Sequence, residues 1–517
     1  MKNGSFKAPA WIQSFECQLG RFRAPYWFVL AVFLGMLSWS LFCDLDRVDM
    51  NVWDESLFAI RAYQLYENGS FLQNFNQFAG LYDHPSTKLP LVTLIQVGSF
   101  YLWGPTVWAL RFPIGIIALV GILLSARILF RMGIDSKFGL LMGLFLMGSS
   151  RFLGEHMLRT GDHDAPLAFF LLLSGLYFFE YVVLDRKASI WGLGFWFLCA
   201  LLTKNILAGV VVPSWIFVAF FWGNKRSILS DVRLYAMAAG VLGVFGAILG
   251  GFEWANPGFF NRMWNYELMG RYSEVIEGHM GPWYYYIALM FKEDLGFVAL
   301  VILSLLSGLA GKQRIAIKVK LALFIAVMAL VYLVVISYSK TKLPWYDAPI
   351  FPMLALLSAL GICGFYELRL RGSWVSGFIA SMKWGLVLVG LVLWFATGVK
   401  VHAYNSMFGS QGYLTLFARL NELNRLEPRS FIVEDDFGSD TYFYVKSFEK
   451  RACPAQFYFT RDIDSLKVGD AVMVVKPWIL SRIQKEYVTE ALLVLENAQY
   501  IKVIRRRDGF PPREIKR

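Results

Sequence analysis

Residues 190–222 read IWGLGFWFLCALLTKNILAGVVVPSWIFVAFFW. One charge, Lys204, interrupts an otherwise apolar stretch, and the stretch is longer than the roughly twenty residues a helix needs to cross a bilayer. Basic residues stand at both ends, Arg186 and Lys187 before it and Lys225, Arg226 and Arg233 after it. By the positive-inside rule both ends then lie on the cytoplasmic side. The stretch is predicted to be a helical hairpin turning on the outer side near Lys204, not one long helix.

The same reading extends along the chain. Of its 517 residues, 57% are hydrophobic and 17% charged, too apolar for an ordinary soluble protein. Apolar runs recur from Tyr26 to Phe395 and stop after Val399. The net charge of +12 sits in short clusters between these runs (Arg21/Arg23, Arg127/Arg131/Lys137, Lys312/Arg314/Lys318/Lys320, Arg369/Arg371/Lys383). That distribution fits membrane topology and excludes a nucleic-acid-binding stripe. Consecutive cytoplasmic clusters must be joined by an even number of spans. Leu89–Trp103, short and proline-led, would invert every later cluster if it crossed alone, so it is predicted to lie at the outer surface or re-enter.

The expected fold is a polytopic α-helical membrane protein of about eleven transmembrane helices with a small C-terminal soluble α/β domain. Residues 1–400 form the membrane module and residues 401–517 the extracytoplasmic domain. Tyr26–Cys43, after a basic stretch and without a small-residue cleavage site, reads as a retained signal-anchor. The five cysteines suggest neither a disulfide framework nor a zinc motif. In the tail, 430–433, 442–445, 471–475 and 500–504 read as strands, and 414–423 and 483–495 as helices.

The unusual polar residues fall on predicted outer segments. Asp54, in Trp53-Asp54-Glu55, precedes a helical pattern of Leu57, Ile60, Ala62, Tyr63 and Tyr66 that stops at Gly69. Asp54 is suited to capping that helix, or to acting as a general base that deprotonates a hydroxyl. Glu155–Pro166 packs charged groups between two apolar runs, where ionisable residues default to function; a solvated turn is the alternative. His156, Asp162, His163 and Asp164 offer imidazole and oxygen donors for a divalent ion, but their spacing defines no site, and a metal cofactor stays open. Lys88 and Lys342 each begin an apolar run on the side less favoured for lysine. Either they snorkel to headgroups or they hold an anion such as a phosphate leaving group. His279, among Trp283 and Tyr284–Tyr286, fits an interfacial aromatic belt.

In the order of these motifs the sequence resembles the C-type glycosyltransferase superfamily, specifically the bacterial lipid A aminoarabinose transferase and protein O-mannosyltransferase group, over roughly residues 20 to 400. Asp54-Glu55 resembles the family's acidic pair, and Lys88-Leu89-Pro90-Leu91 its Lys-Pro-Pro-Leu element. Asp164 before Ala165-Pro166-Leu167 is similar to the second-loop aspartate, and Thr203-Lys204-Asn205 to a Thr-Lys-Gly turn. Lys342-Leu343-Pro344 with Tyr346, Pro349 and Pro352 matches the late motif. Three positions depart: Leu89 replaces the first proline, Asn205 replaces glycine, and Asp162 adds an acid.

The resemblance implies a polyprenyl-phosphate sugar donor, a lipid A, other glycan or protein acceptor at the outer face of the inner membrane, and inversion at the anomeric carbon. Asp54, with Glu55 and Asp164 as the other catalytic acids, would deprotonate the acceptor; Lys88, Tyr346 and either Lys342 or Arg159 would hold phosphate. An oligosaccharyltransferase would show a Trp-Trp-Asp motif in the tail, which is absent. A flippase or transporter would show paired half-repeats and mid-membrane charges, whereas here the charges collect on one side.

Overall fold

The computed structural model describes residues 26–367 and 416–508, apart from short internal stretches, of which 303–316 is the longest and 47–49, 52–53 and most of 70–86 border the site discussed below. The helices used below are α1 Tyr26–Phe42, α2 Asp54–Asn68, α3 Leu91–Trp103, α4 Val107–Arg131, α5 Lys137–Gly148, α6 Asp164–Val183, α7 Ser189–Lys204, α8 Val212–Trp222, α9 Val232–Ala255, α10 Tyr285–Glu293, α11 Ile317–Tyr338, α12 Phe351–Glu367, α13 Ser439–Ala452 and α14 Pro477–Glu486. They fall into two compact units, 1–43 with 87–92 and 114–403, and 44–86 with 93–113 and 404–517. The second unit therefore takes in the first loop as well as the tail beyond residue 400.

The first unit is a helical bundle. Five stretches are long and apolar enough to cross a membrane by length and composition: Val107–Arg131, Asp164–Val183, Ser189–Trp222, Val232–Ala255 and Ile317–Tyr338. Four shorter apolar helices accompany them. The chain is a multi-pass membrane protein, its apolar helices satisfying their backbone groups internally as lipid requires. The last predicted span, ending near Phe395, lies outside the described residues.

Helix α6 is the axis of this unit, with 89% of its most apolar window buried, whereas α9 has 6% buried and turns its apolar side chains outward. Close approach within the bundle depends on small residues, as is common between membrane helices: Gly175 of α6 faces Met328 of α11, and Gly139 of α5 faces the backbone of Ala126 of α4. Each end of α6 carries a buried acid. Glu180 pairs with Arg131 and Arg186, both at 2.8 Å, and accepts from Ser189 at 2.8 Å. Asp164, at the other end, pairs with Lys204 at 2.6 Å.

The stretch 190–222 does fold back. Helix α7 ends at Lys204, a 3₁₀ turn covers Asn205–Val211, and α8 returns. Phe197 and Trp215 meet edge to face at 5.1 Å, a separation that eighteen residues of continuous helix would forbid at about 1.5 Å rise each.

In the second unit a five-stranded sheet runs in the order β4-β3-β5-β7-β6, from β3 Arg429–Val433, β4 Gln456–Thr460, β5 Ala471–Val474, β6 Tyr487–Leu495 and β7 Ala498–Arg506. A two-stranded ribbon, β1 Gln77–Phe78 with β2 Tyr82–Asp83, precedes it. β3 is parallel to β4 and β5, with α13 as the crossover from β3 to β4, and β7 is antiparallel to β5 and β6. Side chains alternate between the two faces of the strands. Phe431, Val433, Val472 and Val474 pack with Ile479 and Ile483 of α14. Ile432, Ala471 and Met473 face the other way, into a core shared with Ala59, Ile60, Ala62 and Tyr63 of α2 and Phe443, Tyr444 and Phe448 of α13. Helix α2 of the first loop thus completes one face of the C-terminal sheet.

Two local expectations are corrected. Residues 442–445 are helical, because α13 is amphipathic over Ser439–Ala452 and its Phe443, Tyr444, Val445 and Phe448 enter the core together. The predicted helix 483–495 is a helix only to Glu486, after which Tyr487–Leu495 pairs with β7; its Val and Leu residues serve a ladder, a choice made by the partner strand. The predicted helix 414–423 lies mostly outside the described residues.

Candidate active site

In the first unit, charged side chains converge from four segments that are distant in sequence. Lys88 ion-pairs with Glu267, and Thr87 Oγ1 donates to the same carboxylate at 2.5 Å. Glu267 projects from Trp264–Gly270, a π-helical stretch; such stretches are rare and often mark functional sites. Arg271 follows, its guanidinium carbon 5.4 Å from the Tyr346 ring centroid. Asn205 Nδ2 donates to the Thr87 carbonyl at 2.6 Å, fastening the Lys88 segment to the turn that presents Lys204.

Asn205 has φ 53° and ψ −139°, outside the left-handed helical region and a conformation natural to glycine but strained for a residue with a side chain. The side chain at this position supplies the bond to Thr87.

Three cations, Lys88, Lys204 and Arg271, face two carboxylates, Glu267 and Asp164. The electrostatics follow. Burial lowers the Lys88 amine below its usual range, partly offset by Glu267 and reinforced by Lys204 and Arg271. Burial opposes ionisation of Glu267, but the Lys88 and Arg271 charges outweigh it and hold that carboxyl well below the usual carboxylate range. Burial also lowers the Lys342 amine, which donates to the Ser339 carbonyl. The Tyr346 hydroxyl is buried with no hydrogen-bond partner among the described residues. A site with a surplus of positive charge and an unspent hydroxyl donor suits a phosphate.

Other predicted residues have different partners. Arg159 donates to the Ser40 and Cys43 carbonyls at 2.8 and 2.6 Å, closing the C-terminal end of α1 as basic side chains do. Asp162 Oδ1 lies 3.3 Å from His156 Nδ1, and the His156 ring stacks on Trp345 at 3.7 Å. Asp164 is held by Lys204, so of the four expected metal donors the first unit joins His156 with Asp162 and gives Asp164 to a cation. Residues not singled out from sequence include Glu267, Arg271 and the bidentate pair of Arg151 with the buried Asp347 at 2.9 and 2.7 Å. The four-residue spacing of Glu267 and Arg271 on one helical face was their sequence signal.

In the second unit, Asp54 opens α2, where a carboxylate is favoured by the helix dipole. Glu55, fully buried, accepts from Arg111 Nε at 2.6 Å and Nη2 at 2.9 Å and from the Asn51 amide at 2.9 Å. Arg111, itself buried, sends Nη1 to the Leu45 carbonyl at 2.6 Å.

A bundle of membrane-length helices, a charge cluster gathered by their connecting segments and an α/β domain at the C-terminal end define a multi-pass membrane protein with the fold of the C-type glycosyltransferases. Residues 83–249 match the sequence model of the dolichyl-phosphate-mannose-protein mannosyltransferase family. The chain is similar to the crystal structure of ArnT from Cupriavidus metallidurans bound to undecaprenyl phosphate, with a TM-score of 0.66 at 16% identity over 92% of this chain and 98% of that one. For the apo state of that protein the values are 0.62, 16%, 91% and 97%. The archaeal oligosaccharyltransferase AglB from Archaeoglobus fulgidus, in complex with an inhibitory peptide and a dolichol-phosphate, matches at a TM-score of 0.54 and 12% identity, over 83% of this chain and 64% of that one. No curated protein matches the chain by sequence.

Proposed function

We propose that the chain is a membrane glycosyltransferase that moves one sugar from a polyprenyl-phosphate donor to an acceptor hydroxyl at the extracytoplasmic face of the inner membrane, with inversion at the anomeric carbon. The observation that carries this reading is the surplus of cations, Lys88, Lys204 and Arg271 against Glu267 and Asp164. Binding of undecaprenyl phosphate to the similar ArnT and of dolichol-phosphate to AglB supports it.

In this mechanism Lys88 and Arg271 face the phosphate that departs from the sugar, and Tyr346 donates its hydroxyl. Their preorganised charge stabilises the negative charge that grows on the leaving group. Arg271 takes the place first given to Arg159, whose guanidinium serves α1. Asp54 accepts the acceptor's proton as the new bond forms. Glu55 holds the loop that carries Asp54, and Asp164 orients Lys204. No step is routed through a metal. The acceptor is a lipid A, another glycan or a protein hydroxyl.

The test is consumption of a panel of polyprenyl-phosphate sugars and nucleotide sugars by purified wild-type protein and Asp54→Asn in detergent, with acceptor membranes supplied. Consumption of a lipid-linked sugar by wild type alone is the expected result. No consumption of any lipid donor would return the chain to the flippase or transporter class.

A further inference from the structure

The C-terminal domain has so far no part in the chemistry, yet its helix α13 holds the segment that presents Asp54. Tyr444, 2% exposed, receives a hydrogen bond at its hydroxyl from the Met50 amide at 3.0 Å. Ser439 and Ser56 hydroxyls meet at 2.5 Å, and Lys450 pairs with Glu67 at 3.0 Å. The Tyr63 and Phe443 rings pack edge to face at 6.5 Å.

The backbone before Asp54 is tied down at Leu45, Met50 and Asn51. Leu45 gives its carbonyl to Arg111, Met50 its amide to Tyr444, and Asn51 its amide to Glu55 and its carbonyl to the Ser56 amide at 3.1 Å. Three of these ties come from the first loop and α4. The Tyr444 tie comes from a residue 394 positions away.

Buried backbone donors are almost always satisfied, since an unpaired one carries a desolvation penalty. The Met50 amide is satisfied by a buried tyrosine hydroxyl on a separate helix, which fixes the loop's position as well as pairing the donor. A general base must sit within hydrogen-bond reach of the proton it takes, and small displacements at that point are costly in rate.

We infer that Tyr444, with Ser439, is a positioning residue for Asp54, so that the C-terminal domain sets the place of the base. This rests on the assignment of Asp54 as the base. The domain acts through the loop backbone and touches no substrate in this role.

The test is Tyr444→Phe in the full chain, which keeps the ring and removes one oxygen. The rate of sugar transfer per donor-binding site and the donor KM are measured together, beside Asp54→Asn. The expected result is a fall of about three- to tenfold in rate, the size of one lost hydrogen bond, with donor KM and the occupancy of donor sites unchanged. A merely structural role would lower the number of donor-binding sites and leave the rate per site as it was, and that result overturns the inference. So does an unchanged rate in Tyr444→Phe when Asp54→Asn is inactive, in which case the base assignment stands alone. A fully active Asp54→Asn overturns both. Ser439→Ala, which cuts the other tie, gives the same signature and keeps the question answerable should Tyr444→Phe not fold.

Discussion

Arg111→Met tests the ion pair behind Asp54. Glu55 is 0% and Arg111 2% exposed, and two hydrogen bonds of 2.6 and 2.9 Å join them. Methionine fills much of the volume but leaves the Glu55 carboxylate buried with the Asn51 amide and no guanidinium, and leaves the Leu45 carbonyl without this donor. Removing one partner of a buried pair costs about 3–5 kcal/mol, against about 0–1 kcal/mol for an exposed pair. In a unit of this size that corresponds to a fall of roughly 10 °C in Tm. Glu55→Gln added to Arg111→Met removes the stranded charge and keeps an acceptor for Asn51, so the double variant should recover about 2 kcal/mol of the loss. Thermal unfolding of purified protein in detergent, followed by tryptophan fluorescence, reads both numbers. A single variant within about 1 kcal/mol of wild type, or a double variant no better than the single, would refute the view that Glu55 and Arg111 act as one buried pair.

Lys88→Ala should raise the donor KM by roughly ten- to a hundredfold, the size of one lost charge-assisted hydrogen bond, and leave the acceptor KM unchanged; donor titration of initial rates shows it. Because burial lowers the Lys88 amine below the usual lysine range, its charge is lost as pH rises, at a lower pH than for an exposed lysine. Donor affinity should therefore fall on the alkaline side of that titration, and Lys88→Arg should flatten the fall, since guanidinium stays charged; binding measured between neutral and alkaline pH decides it. Arg271→Ala should weaken donor binding as Lys88→Ala does, whereas Arg159→Ala should lower thermal stability by about 1 kcal/mol through loss of its helix-end bonds and leave donor KM in place. Gly139→Ala should destabilise by about 1–3 kcal/mol, because the new methyl would stand 2.5 Å from the Ala126 Cα; an unshifted melting curve would contradict the close packing of α4 and α5.

The membrane character and the 190–222 hairpin were legible in the sequence, because apolar length and the position of basic residues are local properties that the bilayer itself selects. So was the end of α2 at Gly69, whose φ of 72° suits glycine. The partners of the charged residues were not. Lys88 meets Glu267 across 179 positions and Arg111 meets Glu55 across 56, and only the folded chain brings them together. The same holds for 442–445 and 487–495, where strand or helix was settled by what each segment packs against. Which charged residue pairs with which, which of them closes a helix end and which steadies a loop followed from long-range packing, to which a linear pattern is blind.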